Sequence, residues 1–306
     1  MKIIGYLEGD NIGDNLMSKI VREQLRDLPD NDDIGIMIGG GLTNFNTNNE
    51  YYLNRMRKFK HKIALNIGVN PIYDKECIRN IYETFKDFKF VSVRDECSKI
   101  NLERCGISAR LYGDIVYLKK INKKTVPHLY DLLVPVYCRW YKLENQVRFF
   151  KRLLLNIPSL RVYSMTKNYD KHLVDKLTDN PLNETMNIDE IFSSAGKAIT
   201  SRFHSSILSL LNNVPFVSLS YNLKCNNLIS KYRLQNNEYP FGNGNTGFIM
   251  DFALYPPEKW ADNVTETFLN LPETADYSII NKKIKKRVEQ SFLDLREIIM
   301  KINKGV

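Results

Sequence analysis

The chain lacks paired cysteines. It has five, at positions 77, 97, 105, 138 and 225, which is an odd number without CxxC or any other metal-ligand spacing. A disulfide framework or a zinc site would need such a pattern, so we expect neither, and we predict no metal. Reduced, buried thiols are typical of cytosolic proteins, and the expected localisation is therefore cytoplasmic.

Long apolar runs are also missing. Glu8 interrupts the apolar segment at the start of the chain, which argues against a signal peptide. No stretch approaches the roughly 20 apolar residues that span a bilayer. The formal net charge of +9 favours an anionic ligand, an anionic membrane surface or nucleic acid. Because no nucleic-acid-binding motif accompanies that charge, we expect no nucleic acid partner.

The common glycine-rich nucleotide motifs are absent as well. The loop at 9–14, after the first predicted strand, is neither GxGxxG nor a Walker loop. Its glycines would let a ligand approach the backbone closely, which makes Gly9, Asn11, Gly13 and Asp14 candidate substrate-binding residues. The alternative is a tight turn in which Asp14 caps the following helix.

What the chain does contain is a regular alternation of strand and helix patterns. A length of 306 residues favours two domains, and the alternation favours parallel sheets built from βαβ units. We predict an α/β protein with two Rossmann-like domains, at 1–122 and 128–272, and a long amphipathic C-terminal helix at 275–303. The predicted strands are 2–7, 34–38, 62–69, 88–93 and 111–116 in the first half, and 131–137, 160–165, 198–200, 214–221 and 248–252 in the second.

The stretch Ser-Arg-Phe-His-Ser-Ser at 201–206 is the most informative in the chain. It follows a short apolar strand and opens a helix, so Arg202 and His204 fall in a first helical turn at the carboxyl end of a strand. Ligands of open α/β sheets bind at that edge, and the N–H groups of a helix start favour an anion. Arginine adds a fork of donors, and histidine can exchange a proton near neutral pH. The alternative is a structural histidine beside the buried Phe203.

The first half has a similar junction. Arg94 follows the strand at 88–93, and Asp95 is placed to cap the next helix. Three glycines at 39–41 follow another strand and leave room for a substrate, which makes Gly40 and Gly41 candidates. If the two halves face each other, Arg94 and Arg202 would share one cleft, and Lys224 could join them.

Taken together, these elements resemble the polysaccharide pyruvyltransferase family. The resemblance covers about residues 5–225, in the family's order. The matching residues are the loop Gly9 to Asp14, the glycines 39–41, Ser92, Arg94, Asp95 and Ser98, then Gly106, Ile107 and Asp114, then Thr200 to His204, and finally Pro215, Tyr221 and Lys224.

The resemblance implies two domains that face across a cleft, similar to the B-type glycosyltransferases. It implies transfer of pyruvate from phosphoenolpyruvate, a co-substrate rather than a cofactor, to two hydroxyls of a sugar as a cyclic ketal. Arg94 and Arg202 would bind the donor, His204 would transfer a proton, and Lys224 would help to stabilise the departing phosphate. A lipid-linked acceptor would require weak peripheral membrane contact, which the basic residues at 282–287 would assist.

Two other functions remain open from the sequence. One is a B-type glycosyltransferase that uses a nucleotide sugar, although no clear signature for a ribose or a base is found. The other is a non-catalytic protein of the same fold that binds a glycan or an anion. The presence of both Arg202 and His204 favours an enzyme over the second alternative.

Overall fold

The computed structural model describes residues 1–5, 10–40, 54–70, 75–121, 128–138, 141–166, 168–182, 186–220, 225, 228–229, 238–240 and 256–305. Over these ranges the chain forms two compact units. The first unit comprises residues 1–9, 13–119 and 282–306, and the second comprises 10–12 and 120–281. The C-terminal segment thus belongs with the N-terminal unit.

The strands described in the first unit form a five-stranded parallel sheet in the order β1-β2-β3-β4-β5. The strands are β1 (Lys2–Ile4), β2 (Ile34–Met37), β3 (His61–Ile67), β4 (Phe88–Val93) and β5 (Arg110–Leu111). The helices are α1 (Ile12–Leu25), α2 (Lys75–Phe85) and α3 (Glu96–Arg104). Apolar side chains from β3, β4 and α2 form its core, because strands covered by helices are buried.

The strands described in the second unit form another five-stranded parallel sheet, in the order β10-β9-β8-β6-β7. The strands are β6 (Tyr130–Val134), β7 (Leu160–Val162), β8 (Ala195–Thr200), β9 (Phe216–Ser220) and β10 (Glu238–Pro240). The helices are α4 (Leu143–Asn156), α5 (Lys171–Leu177), α6 (Ile188–Ser193), α7 (Phe203–Asn212) and α8 (Pro257–Leu269). Phe149 of α4 and Val264 of α8 pack in its core.

A long helix, α9 (Ser278–Asn303), ends the described chain. Its buried residues, Ile284, Val288, Ser291, Phe292, Leu295 and Ile299, repeat at helical spacing. In the first unit, Ser291 accepts a hydrogen bond from the side-chain amide of Asn66 at 3.0 Å. The predicted fold class, parallel α/β sheets with a long C-terminal helix, is confirmed. The arrangement of the units across a cleft stays a prediction.

The structure corrects two local predictions, and a third cannot be compared with it. The strand predicted at 111–116 is wrong after Leu111, because Gly113 has a φ of +149° and Asp114 caps a 3₁₀ turn at Ile115–Leu118. The helix after the loop at 9–14 begins at Ile12, so Asp14 lies inside its first turn and does not cap it, contrary to the alternative given above. The strand predicted at 248–252 lies outside the described residues.

Within the described residues none of the five cysteines forms a disulfide, and all of them except Cys97 are buried. Burial raises the pKa of the Cys105 thiol, which keeps it protonated and unreactive at neutral pH.

Candidate functional site

Helix α7 begins directly after β8, at the carboxyl edge of the second sheet. Arg202 is its N-cap residue, in an extended conformation, and its side chain makes no capping hydrogen bond. His204 lies in the first turn, is 8% exposed, and packs edge-on to the ring of Phe203 at a centroid distance of 5.4 Å. The junction therefore places a cation, an imidazole and the amide groups of a helix start together, as the sequence predicted.

Arg202 is held by a carboxylate that the sequence did not single out. Its Nε donates to Asp170 Oδ2 at 3.0 Å, and its Nη2 donates to Asp170 Oδ1 at 2.6 Å. Asp170 is fully buried, whereas 14% of the Arg202 side chain is exposed. The guanidinium carbon also lies 5.5 Å from the ring centroid of Tyr169, within the range of a cation–π contact.

The loop before α1 contacts the same segment of the second unit. Asp10 Oδ2 accepts hydrogen bonds from the backbone N–H groups of Asn168 at 2.5 Å and Tyr169 at 3.2 Å. Asn11 forms an antiparallel bridge with Thr166. The predicted substrate-binding residue Asn11 thus lies beside the chain segment that carries Asp170.

Buried hydroxyl groups surround the start of α7. Thr200 Oγ1 and Ser206 Oγ lie 2.8 Å apart, and Ser205 Oγ donates to the carbonyl of Arg202 at 2.6 Å. Ser201 Oγ is different, because in the described part of the chain it is buried without a hydrogen-bond partner. A buried polar atom of that kind, directly before the helix start, is suited to contact a ligand.

Arg94 has a more enclosed environment in the first unit. Only 4% of its side chain is exposed, and its guanidinium lies 3.3 Å from Asp95 Oδ2 and 3.6 Å from Asp114 Oδ2. Asp95 also caps α3, because its Oδ1 accepts from the backbone N–H and the hydroxyl of Ser98, each at 2.8 Å. Asp114 is itself 2% exposed.

Two glycines make room for that guanidinium. Gly40 and Gly68 form a parallel bridge just beyond β2 and β3. A Cβ on Gly40 would lie 1.9 Å from Arg94 Nη1, and one on Gly68 would lie 2.7 Å from Nη2. Glycine is therefore required here because the arginine packs directly on the backbone.

The sequence profile of the family described as polysaccharide pyruvyl transferase matches residues 11–222, which include both arginine junctions. The chain belongs to this family. No curated protein sequence matches it significantly.

Several solved structures are similar to the chain at low identity. Accessory secretory protein 1, 2 and 3 of Streptococcus pneumoniae has 13% identity over 97% of this chain and a TM-score of 0.46, and the chain spans only 58% of it. An uncharacterised protein of Klebsiella pneumoniae has 13% identity over 78% of this chain and 92% of its own, with a TM-score of 0.47. UDP-N-acetylglucosamine 2-epimerase of Rickettsia bellii has 12% identity over 95% and 80%, with a TM-score of 0.49.

The predicted site residues of this family member divide between the two units. In the first unit the structure places Arg94 against Gly40, and it places Gly13 and Asp14 in α1. In the second it brings Arg202, His204 and Asn11 to the region of α7 and residues 166–170. Gly9, Gly41 and Lys224 lie outside the described residues.

Sequence reasoning missed Asp170, Gly68 and Ser201. Asp170 had a local signal, since an aspartate directly before a helical segment is typical of an N-cap, but that signal points to the wrong role. Gly68 directly follows the observed strand β3, but it lies inside the strand predicted at 62–69, so its place in the sequence gave no signal. Ser201 had no signal beyond its place beside Arg202.

Within the described ranges, no group of three or more His, Cys, Asp or Glu side chains could hold a metal ion. Over the same part of the chain, no helix is both long and apolar enough to cross a membrane.

Proposed function

We propose that the protein transfers pyruvate from phosphoenolpyruvate to two hydroxyl groups of a glycan sugar and forms a cyclic ketal. The observation that carries the proposal is the junction of β8 and α7, where Arg202 is the N-cap residue and His204 lies in the first turn of a helix in a chain of this family. Phosphoenolpyruvate is a small dianionic or trianionic donor, and this junction offers both a cation and a proton-transfer group.

The donor would bind at the start of α7. The N-cap residue of this helix places no carboxylate on the helix start, and the positive end of the helix dipole favours an anion there. Asp170 engages Nε and Nη2 of Arg202, so the guanidinium is oriented before a donor anion arrives. Arg202 and the helix start would therefore bind the phosphate or the carboxylate of the donor.

His204 would move the proton that the addition requires. One sugar hydroxyl bonds to C2 of phosphoenolpyruvate while C3 gains a proton and becomes a methyl group. The C2–O bond to phosphate then breaks, and a second hydroxyl bonds to C2 and closes the ketal. Of the two hydroxyl protons, one is balanced by the methyl group and the other by the departing phosphate. A histidine suits this exchange because its imidazole can both accept and donate a proton.

Arg94 and Lys224 are proposed as further cations of the site. Arg94 already contacts two carboxylates, so a donor anion would have to share its guanidinium with Asp95 and Asp114. Lys224 would stabilise the departing phosphate together with Arg202. Of the proposed substrate-binding glycines, 9, 13 and 41 would let the ligand approach the backbone, whereas Gly40 would act by making room for Arg94. Asn11 and Asp14 would offer side-chain contacts.

The decisive experiment incubates the purified protein with phosphoenolpyruvate and a panel of free and lipid-linked sugars. Release of inorganic phosphate together with a mass gain equal to a pyruvyl ketal on one sugar is the expected result. Transfer from a nucleotide sugar instead, with no phosphate released from phosphoenolpyruvate, would contradict the proposal and favour a glycosyltransferase. Tight glycan binding without turnover of any donor would favour a non-catalytic binding protein.

We further propose a cytoplasmic enzyme that visits an anionic membrane surface to reach a lipid-linked acceptor. Lys282, Lys283, Lys285 and Lys286 of α9 are exposed, while Ile284 faces the protein. Each near-surface cation would contribute about 1 kcal/mol of attraction, which salt would screen. Sedimentation with anionic vesicles should show weak binding that is lost as salt rises, and equal binding to neutral vesicles would contradict this.

A further inference from the structure

We propose that Asp170 is the positioning residue of the donor site, because its carboxylate fixes the guanidinium of Arg202 before any ligand arrives. Its effect on catalysis rests on the proposed function, in which Arg202 binds the donor. The orientation of Arg202 itself is a property of the protein alone and can be tested without a donor.

Hydrogen bonds to both its backbone and its side chain hold Asp170 in place. Its backbone N–H donates to Thr166 Oγ1 at 3.0 Å, and its carbonyl accepts from the N–H groups of Leu173 and Val174, each at 3.0 Å. Its Oδ1 also accepts from the backbone N–H of Tyr137 at 2.8 Å. A carboxylate that is fixed in this way holds the bidentate guanidinium in one plane and one direction.

The Asp170 carboxylate does not cap its own helix, although its position in the sequence predicts an N-cap role. Asp170 is the N-cap residue of α5, yet its side chain makes no capping hydrogen bond to that helix. Asp95, the N-cap residue of α3, does cap its helix through Ser98. Because an N-cap aspartate normally stabilises its own helix, the loss of that bond indicates that Asp170 serves Arg202 instead.

The loop at 10–12 also helps to hold the segment that carries Asp170. Asp10 accepts hydrogen bonds from Asn168 and Tyr169, the two residues directly before Asp170. Tyr169 in turn places its ring against the guanidinium of Arg202. The loop therefore holds the segment that holds the arginine, which gives the loop a role that does not require contact with the substrate.

The first measurement follows the Nε–H group of Arg202 by nuclear magnetic resonance in the donor-free protein. Arg202→Lys assigns the resonance by its disappearance. In the wild-type protein we expect slow exchange with water, because Asp170 Oδ2 accepts from this group at 3.0 Å. In Asp170→Asn we expect exchange at least about 10-fold faster, since the amide is a weaker acceptor for a cation.

Asp175→Asn is the matched control. Asp175 lies in the same helix, is about half exposed, and pairs with Lys171 of that helix. This variant should leave the Arg202 resonance unchanged. If Asp170→Asn also leaves it unchanged, the proposal is overturned. If Asp170→Asn does not fold, the exchange rate of Arg202 Nε–H in the wild-type protein is the test. Exchange as fast as that of an exposed arginine would overturn the proposal, and slow exchange would support it.

Steady-state kinetics with phosphoenolpyruvate then connect the position to the reaction. We expect Asp170→Asn to lower kcat/KM by about 10- to 100-fold, mainly through KM for the donor, because a misplaced binding group loses its alignment. The double variant with Arg202→Lys should be no worse than Arg202→Lys alone by more than about twofold, since both changes disrupt one interaction. Additive losses would contradict action through Arg202. An inactive wild-type protein would contradict only the proposed function.

Discussion

The two arginine junctions are similar in sequence and differ in environment. Arg94 and Arg202 each follow a parallel strand and each precede a helix. Arg94 packs on Gly40 and Gly68 between two carboxylates, with 4% of its side chain exposed. Arg202 pairs with Asp170 and has 14% of its side chain exposed. Arg94 is therefore the more buried of the two arginines.

The difference extends to the helices that follow. In the first unit, Asp95 caps α3, so the amide of Ser98 is already satisfied within the protein. In the second, the cap position of α7 is occupied by Arg202, which makes no capping bond. A helix start that carries no carboxylate from its own N-cap residue is a better place for an anion than one with a carboxylate on it. This comparison favours the junction of α7 as the primary donor site.

The residue two positions after the arginine also differs, and it carries the largest expected effect. It is His204 in one junction and Glu96 in the other. His204→Ala should lower turnover by about two or more orders of magnitude, since it removes the proposed proton-transfer group. Phosphate release from phosphoenolpyruvate measures the loss. His172→Ala, at an exposed position in α5, should retain full activity, and near-normal turnover in His204→Ala would rule out the proton-transfer role.

Replacing each arginine by lysine tests the comparison directly. Arg202→Lys should lower kcat/KM for the donor by about 10-fold or more, because an ammonium cannot reproduce the planar fork. Arg94→Lys should lower the free energy of unfolding by about 2 kcal/mol, because it disturbs a buried pair with two carboxylates. Urea unfolding and donor kinetics on both variants separate the effects. If Arg94→Lys changes donor affinity as much as Arg202→Lys without a loss of stability, the two arginines are equivalent donor ligands.

The packing of Arg94 on glycine provides a smaller test. Gly68→Ala should lower the free energy of unfolding by about 1–3 kcal/mol, because its Cβ would meet the guanidinium at 2.7 Å. Gly106→Ala is the control: the new Cβ meets only ordinary contacts, and the cost of about 1 kcal/mol comes from its φ of +77°. Thermal or urea unfolding measures both. A smaller loss for Gly68→Ala than for Gly106→Ala would show that Arg94 moves aside easily.

Local pattern predicted most of the strands and the α7 junction, but it missed β10, and it failed where distant residues decide. Apolar runs bounded by polar loops located β2, β4 and β8 to within a few residues, because a buried parallel strand must be apolar. The pair between Asp170 and Arg202 joins residues 32 positions apart. A local sequence pattern cannot predict this partner, because the two residues come into contact only when the second unit is folded. The same holds for Gly68, whose need to be glycine arises from a side chain of a neighbouring strand.

The surface ion pair between Arg296 and Asp27 carries the smallest expected effect on stability, and its comparison with Arg94 shows how much burial adds to such a pair. Arg296 of α9 donates to both carboxylate oxygens of Asp27, and this hydrogen-bonded pairing lowers the pKa of Asp27 to about 2. Because the folded pKa lies below the unfolded value of 3.8, the pair stabilises the protein above about pH 4, and that contribution is lost as pH falls towards 2. Asp27→Asn should therefore lower the melting temperature slightly at pH 6, and the gap to the wild-type protein should narrow at pH 3. Asp32→Asn, at an exposed position nearby, controls for the change in charge. A difference in melting temperature that widens as pH falls would contradict this sign. A loss of unfolding free energy in Asp27→Asn at pH 6 as large as that in Arg94→Lys would contradict the distinction between exposed and buried pairs.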